Sequence, residues 1–227
     1  MRVLVTPDYQ ALSEEAAAIV DKSVRANPAL TLGLPTGQTP LGMYEQLIAK
    51  HRTEGLDFAA VKTFNLDEYA GLSPDDPRSF RAYMRSRFFD HINANPMNTH
   101  IPDNDFQRYE DLIRESGGID LLIVGIGLNG HIAFNEPGSS FDSRTRLVTL
   151  APETIQAAGQ EIPHTAITMG IATILEARKI LLLASGATKA EILRRALRGP
   201  VREAVPASAL QRHRDVVVIA DEAATGL

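Results

Sequence analysis

The residues able to do chemistry fall in four short polar groups, and the richest lies between Asp120 and Arg146, DLLIVGIGLNGHIAFNEPGSSFDSRTR. His131 and Glu136 stand there at a spacing that lets a carboxylate hold one ring nitrogen. That fixes the tautomer and leaves the other nitrogen free to move a proton. Asn129 and Asn135 add neutral donors and acceptors. A structural histidine is the plain alternative. The second group is Asp67-Glu68, where a carboxylate at a strand end is a candidate general base with a pKa set by burial and neighbours. Two solvated acids in a turn would look the same. The third, Thr36-Gly37-Gln38-Thr39, is a glycine-containing loop before a helix, whose backbone N–H groups and hydroxyls suit an anion. As a simple turn it would need only Thr39 as N-cap and Pro40 as first helical residue. The fourth is Lys189, a cation after Ser185-Gly186 at a helix start. The macrodipole disfavours that placement, so a bound anion explains it better than helix stability does.

The elements that position these groups follow from hydrophobic period and breakers. Leu121 to Val124 is an unbroken apolar run ending in Gly125-Ile126-Gly127, which suits a parallel strand covered on both faces. Further strands are expected at Val3–Val5, Leu30–Leu34, Val61–Leu66, Lys179–Ala184 and Val216–Ala220, with a short one at Leu147–Leu150. Residues 166–175 read as mixed. Between the strands run helical patterns: one with Ser13 as N-cap and Leu12, Ala16, Ile19 and Val20 inward, one after Pro40, and one from about Ser79. Another ends at Gly117-Gly118, and a last one carries Ile192, Leu193, Ala196 and Leu197. Strands alternating with helices predict an α/β, doubly wound, mostly parallel (Rossmann-like) sheet with helices on both faces, in one domain spanning residues 1–227. All four polar groups then follow different strands on the sheet's carboxyl edge, where one active site would assemble.

Gly125, Gly127 and Gly130 spell G-x-G-x-x-G directly after a strand, the dinucleotide pattern. That pattern needs a helix from its last glycine, and Pro137-Gly138 interrupts any such helix. The acidic residue expected about twenty positions on is missing too. NAD(P) binding is rejected on these grounds, and the Thr36–Thr39 loop lacks the Gly-Lys-Ser/Thr ending of a nucleotide-binding P-loop.

With 227 residues, 44% apolar, the chain has material for a sizeable core. It contains no cysteine, which excludes disulfides, thiolate catalysis and sulfur-based zinc sites. The net charge of −5 argues against general nucleic-acid binding. No apolar window is long enough to span a membrane, and the N-terminal MRVLVTPDYQ lacks signal-peptide features. A cytoplasmic location is expected. A few local cations and N–H groups still suffice for a small phosphorylated ligand.

The stretches LGLPTGQTP, FNLDEYAGL, GHIAFNEP, SGATKA and PASAL resemble the glucosamine-6-phosphate deaminase family, and the resemblance covers nearly the whole chain. It implies conversion of glucosamine 6-phosphate and water to fructose 6-phosphate and ammonia, with no metal or other cofactor. It also implies roles. Asp67 matches the base that moves a proton between C2 and C1. His131 matches the residue assisting ring opening, Glu136 its partner, and Thr36, Gly37, Gln38, Thr39 and Lys189 the phosphate site. Asn129 occupies a catalytic position where many relatives carry aspartate. Gln38 stands where serine is usual. The lid segment is shorter than in relatives and its 155–163 stretch has no arginine, Gln160 being the nearest alignment. Arg78, Arg144 and Arg146 are the candidates for the missing charge. The long C-terminal extension of hexameric relatives is absent, so an unregulated monomer or small homo-oligomer is expected, with an amino sugar phosphate as its partner. Other readings stay open: another phosphosugar isomerase, a 6-phosphogluconolactonase-like lactonase, or a non-catalytic sugar-phosphate sensor.

Overall fold

Period-2 alternation sorts the strand side chains into two cores, one on each face of a central sheet. Leu122, Val124, Ile180, Leu182, Val216 and Val218 face one way, while Leu121, Ile123, Leu181, Leu183, Val217 and Ile219 face the other. The computed structural model describes residues 1–158 and 161–226. In chain order its elements are β1 (Arg2–Thr6), α1 (Tyr9–Ala26), β2 (Thr31–Leu34), α2 (Leu41–Glu54) and β3 (Lys62–Asn65). Next come β4 (Asp67–Tyr69), α3 (Phe80–Arg87), β5 (Thr99–His100), α4 (Phe106–Glu115) and β6 (Leu121–Gly125). They are followed by β7 (Arg146–Thr149), α5 (Pro152–Ala157), β8 (Thr165–Thr168) and α6 (Ile171–Leu175). The last are β9 (Lys179–Ala184), α7 (Ala190–Arg198), β10 (Val216–Asp221) and α8 (Glu222–Thr225).

The main sheet has the order β1-β10-β9-β6-β2-β3-β5, with every pairing parallel. After β2 the chain winds towards β3 and β5; after β6 it winds the opposite way, towards β9 and β10. The reversal opens a crevice beyond the carboxyl ends of β2 and β6, where ligands bind in such sheets. Helices α1 and α2 pack on one face and α4 and α7 on the other. This is the doubly wound α/β architecture that the alternation predicts.

A second sheet departs from expectation. Strands β4, β8 and β7 form a three-stranded antiparallel unit. The segment at Leu147–Leu150 therefore joins this unit and not the main sheet, and the mixed 166–175 region splits into β8 and α6. Asp67 does not end the third strand. β3 stops at Asn65, and Asp67 opens β4 after a single intervening residue. Leu66 joins the two sheets: its N–H donates to Leu34 at 3.2 Å and its carbonyl accepts from Met169 at 2.7 Å. Tyr69, Phe134, Leu150, Ile162 and Ala166 form a third small core here, with Phe80 stacked on Phe134 at 5.8 Å.

Two helix starts also differ. Asp8, not Ser13, caps α1, accepting from the Ala11 N–H at 2.8 Å. Ser13 is buried within the helix and its hydroxyl donates to the Tyr9 carbonyl. Close approach of α1 to α2 explains the burial, since a Cβ at Gly42 would stand 2.3 Å from Ser13 Oγ. Helix α2 has no side-chain cap from Thr39; the Gly42 N–H donates instead to the Tyr9 hydroxyl at 2.9 Å, a cap supplied by α1. Loss of an N-cap carboxylate costs about 0.5–2 kcal/mol. Asp8→Ala should lower the urea midpoint accordingly, and an unchanged midpoint would contradict the cap.

Candidate active site

The loop after β6 turns too tightly to begin a helix. Gly127 N–H donates to the His131 carbonyl at 2.9 Å, Gly130 N–H to Gly127 at 3.0 Å, and Ile132 and Asn135 form an isolated antiparallel bridge. Ala133 takes a left-handed φ of 49°. The glycines serve this turn. A Cβ at Gly127 would lie 2.2 Å from His131 Cε1, so only glycine lets the ring sit there.

Glu136 gathers the polar residues of that loop. Its Oε2 accepts from Asn129 Nδ2 at 2.7 Å and lies 3.4 Å from His131 Nδ1. Its Oε1 accepts from the Thr154 hydroxyl at 2.5 Å, which ties α5 to the loop. Asn129 Oδ1 accepts in turn from the His131 N–H at 3.1 Å. Burial, the largest single influence on Glu136, pushes its pKa up; His131, Thr154 and Asn129 together outweigh it and hold the group at about 2. It is a carboxylate at any physiological pH. The His131–Glu136 approach is an electrostatic contact short of an aligned hydrogen bond, because Nδ1 is buried without a bonded partner. Nothing in the local sequence marks Thr154, a threonine in α5, as a carboxylate partner.

The two neighbouring acids separate cleanly. Glu68 is a cap: its carboxylate accepts from the Tyr69 and Phe80 N–H groups at 2.8 Å and from Arg81 at 2.9 Å. Asp67 is 6% exposed and receives no hydrogen bond from any described residue. Burial, reinforced by the Glu68 charge, pushes its pKa up to about 8. Its cross-strand partner is Thr168, whose Oγ1 accepts from the Phe134 N–H at 3.0 Å, and this links the Asp67 strand to the histidine loop.

Lys189 sits at the start of α7 with its Nζ donating to the Ile126 carbonyl at 2.6 Å, against the same β6 loop. Burial lowers its pKa. An ammonium has three donors, and one is used. The Thr36–Thr39 loop follows β2, with Gly37 in a left-handed conformation (φ 97°). A cavity of about 390 Å³ runs along Gln38, Thr39, Gly42 and Ser185. Tyr9 of α1 and Leu41, Gly42 and Glu45 of α2 complete its wall, and Asp67, His131, Glu136 and Lys189 do not line it.

Of the arginines considered for the missing lid charge, Arg78 is paired with Asp76 at 2.7 Å and Arg144 with Glu176 and Glu110. Arg146 donates to Asn135 Oδ1 at 2.9 Å and Ser139 Oγ at 3.2 Å. Gln160 lies outside the described residues. Among the described residues no helix is long and apolar enough to cross a membrane.

Residues 8–219 match the family model for glucosamine-6-phosphate isomerases and 6-phosphogluconolactonases. The chain belongs to this family. Glucosamine-6-phosphate deaminase of Thermoanaerobacter sp. (strain X514) is 46% identical over the whole chain and 95% of its own length. Glucosamine-6-phosphate deaminase 2 of Bacillus subtilis (strain 168) is 48% identical over 97% of this chain and 95% of its own. A solved monomeric glucosamine-6-phosphate deaminase superposes with a TM-score of 0.97 at 47% identity, each chain fully covered. A 6-phosphogluconolactonase from Leishmania guyanensis superposes at 0.79 over 98% of this chain and 97% of its own with 20% identity, a likeness of fold alone.

The Gly127 contact is testable without substrate. Forcing a methyl group into a packed site costs roughly 1–3 kcal/mol, which at this chain length is about 2–12 °C in Tm. Gly127→Ala should melt earlier by that amount, and Gly127→Ala/His131→Ala should recover most of the loss. Equal Tm for Gly127→Ala and wild type would contradict the packing.

Proposed function

We propose that this family member is a glucosamine-6-phosphate deaminase, converting glucosamine 6-phosphate and water to fructose 6-phosphate and ammonia in one domain spanning residues 1–227. The observation that carries the reading is Asp67, a buried carboxylate with no side-chain hydrogen-bond donor among the described residues, beside a histidine loop in a parallel-sheet crevice. Deaminases 46–48% identical over nearly their full length support it.

The chemistry needs a ring-opened sugar, a proton moved from C2 to C1, and water added at C2 as ammonia leaves. His131, held by Glu136 and Asn129, moves the proton between the ring oxygen and the C1 hydroxyl. Asp67 then takes the C2 proton and returns it at C1 while a proton of the C2 ammonium passes to O1, leaving a C2 imine that water hydrolyses to ketone and ammonia. A carboxylate with a pKa of about 8 is largely protonated at neutral pH and cannot accept a proton in that state. The substrate supplies the remedy, because its C2 ammonium is an opposite charge arriving beside Asp67, and such a charge favours the ionised acid. A lactone has no such group, which favours the amino sugar over the lactonase reading. Phosphate is taken by the N–H groups and hydroxyls of Thr36, Gly37, Gln38 and Thr39, with Lys189 as the cation. A monomer in the cytoplasm completes the proposal, in keeping with the monomeric solved relative.

Ammonia release from glucosamine 6-phosphate, run beside 6-phosphogluconolactone hydrolysis, tests the reading directly. Activity on the lactone alone would overturn it. Asp67→Asn keeps the shape but accepts no proton, so turnover should fall about 10²–10⁴-fold while the product still binds. Near wild-type turnover would remove Asp67 from the base role. His131 and Glu136 should behave as one unit, Glu136→Gln costing most of what His131→Ala costs and the double variant little more. Losses that simply multiply would leave Glu136 a purely structural acid.

A further inference from the structure

Three of the chain's five tyrosines donate to the carbonyls of one loop. Tyr44 reaches Pro35 at 2.6 Å, Tyr83 reaches Gly37 at 2.6 Å, and Tyr9 reaches Gln38 at 3.0 Å. They come from α2, α3 and α1, so the loop is held from three helices. In a trans peptide the carbonyl of one residue and the N–H of the next point in opposite directions. Fixing the Pro35, Gly37 and Gln38 carbonyls towards the tyrosines therefore turns the Thr36, Gln38 and Thr39 N–H groups the other way. Among the described residues none of these three N–H groups, nor that of Gly37, has an internal acceptor. The left-handed Gly37 lets successive N–H groups converge, the geometry of an anion-binding nest.

We propose that Tyr9 and Tyr83 are positioning residues for substrate phosphate: their hydroxyls clasp the Gln38 and Gly37 carbonyls and hold the Thr39 and Gln38 N–H groups in the orientation that receives the phosphate oxygens. The inference rests on the phosphate role proposed for this loop. In this role each tyrosine acts through a loop carbonyl. Their contribution is preorganisation, which improves binding by removing the ordering cost of a loop that would otherwise adjust. Tyr44 does the same for Thr36, but it is fully buried and stacked on Phe88 at 4.7 Å, so its removal would mix packing with positioning. Tyr9 is 38% exposed and Tyr83 half-buried, and in both the hydroxyl can be removed with the ring left in place, although the Tyr9 hydroxyl also accepts from the Gly42 N–H.

The test compares wild type, Tyr9→Phe, Tyr83→Phe and the double variant. The readouts are kcat and KM for glucosamine 6-phosphate, kcat/KM for free glucosamine, the inhibition constant of inorganic phosphate, and Tm. Each single change should raise KM and the phosphate inhibition constant together, about three- to tenfold, the ordinary worth of one hydrogen bond. The double variant should raise them further, with kcat within about twofold of wild type and free glucosamine unaffected. Wild-type KM and phosphate inhibition in both single variants would overturn the clasp, and so would a parallel fall of kcat on both substrates, which marks a merely structural role. Tyr9→Phe also removes the α2 cap, so Tyr83→Phe is the deciding variant; if it does not fold, Tyr9→Phe decides by a rise in KM and the phosphate inhibition constant with kcat on free glucosamine unchanged. A wild-type enzyme with no preference for the phosphorylated sugar and no inhibition by phosphate would instead refute the loop's phosphate role, and the clasp with it. A preference kept in wild type and left intact in the variants refutes only the clasp.

Discussion

A carboxylate buried beside a like charge is costly, and Asp67 is placed so that no described side chain relieves it. Burial raises its pKa first and Glu68 adds to it, while Glu68 itself is fully engaged in capping α3. The nearest available cation by register is Arg146, which shares Thr168 with Asp67 as a cross-strand partner. Its guanidinium turns to Asn135 and Ser139 instead. The small antiparallel sheet thus fixes Asp67 at the rim of the crevice, with the Arg146 guanidinium turned elsewhere. Its ionised form has no stabilising partner among the described residues.

The rest of the crevice divides two other tasks between the two halves of the sheet. On the β6 side, Asn129, Glu136 and Thr154 form a connected hydrogen-bonded group around His131, and the Glu136 carboxylate stays ionised within it. On the β2 side lies the 36–39 loop, whose N–H groups have no acceptor among the described residues. Lys189 bridges from β9 to the β6 loop through Ile126. A sheet whose winding reverses between β2 and β6 is what brings these loops face to face.

Much of this was legible in the chain. The buried runs at Leu121–Val124 and Lys179–Ala184 specify parallel strands, and the helix expected from about Ser79 is α3, with Ser79 as its cap accepting from Ala82 at 3.0 Å. The 36–39 loop, the histidine loop and Lys189 follow β2, β6 and β9, because that much follows from local pattern, whereas Asp67 opens β4. What escaped was long-range. β4 has three residues, and β7 is half-exposed, so neither shows a clear period and the second sheet stayed hidden. Asp8 and Ser13 are both good caps by type, and only the packing of Gly42 against Ser13 decides between them. Thr39 has the right type and place for a cap, yet a tyrosine from another helix supplies it. Nor can a sequence say which of Asp67 and Glu68 is bonded, since the difference lies in the N–H groups of α3.

The most direct test of the account is the titration of Asp67 itself, followed by carboxyl carbon-13 NMR in protein labelled at aspartate and assigned by its loss in Asp67→Asn. The account predicts a midpoint near 8 in the free enzyme and a shift to lower pH when a phosphorylated amino sugar alcohol occupies the crevice. It also fixes a sign. An acid whose pKa is raised on folding stabilises the fold below its unfolded value near 4, and that stabilisation is lost as pH climbs towards 8. The urea midpoint of wild type should therefore fall relative to Asp67→Asn across that window. A free-enzyme midpoint near 4, unmoved by the ligand, would contradict the claim that Asp67 waits unpaired for a charge carried by the substrate.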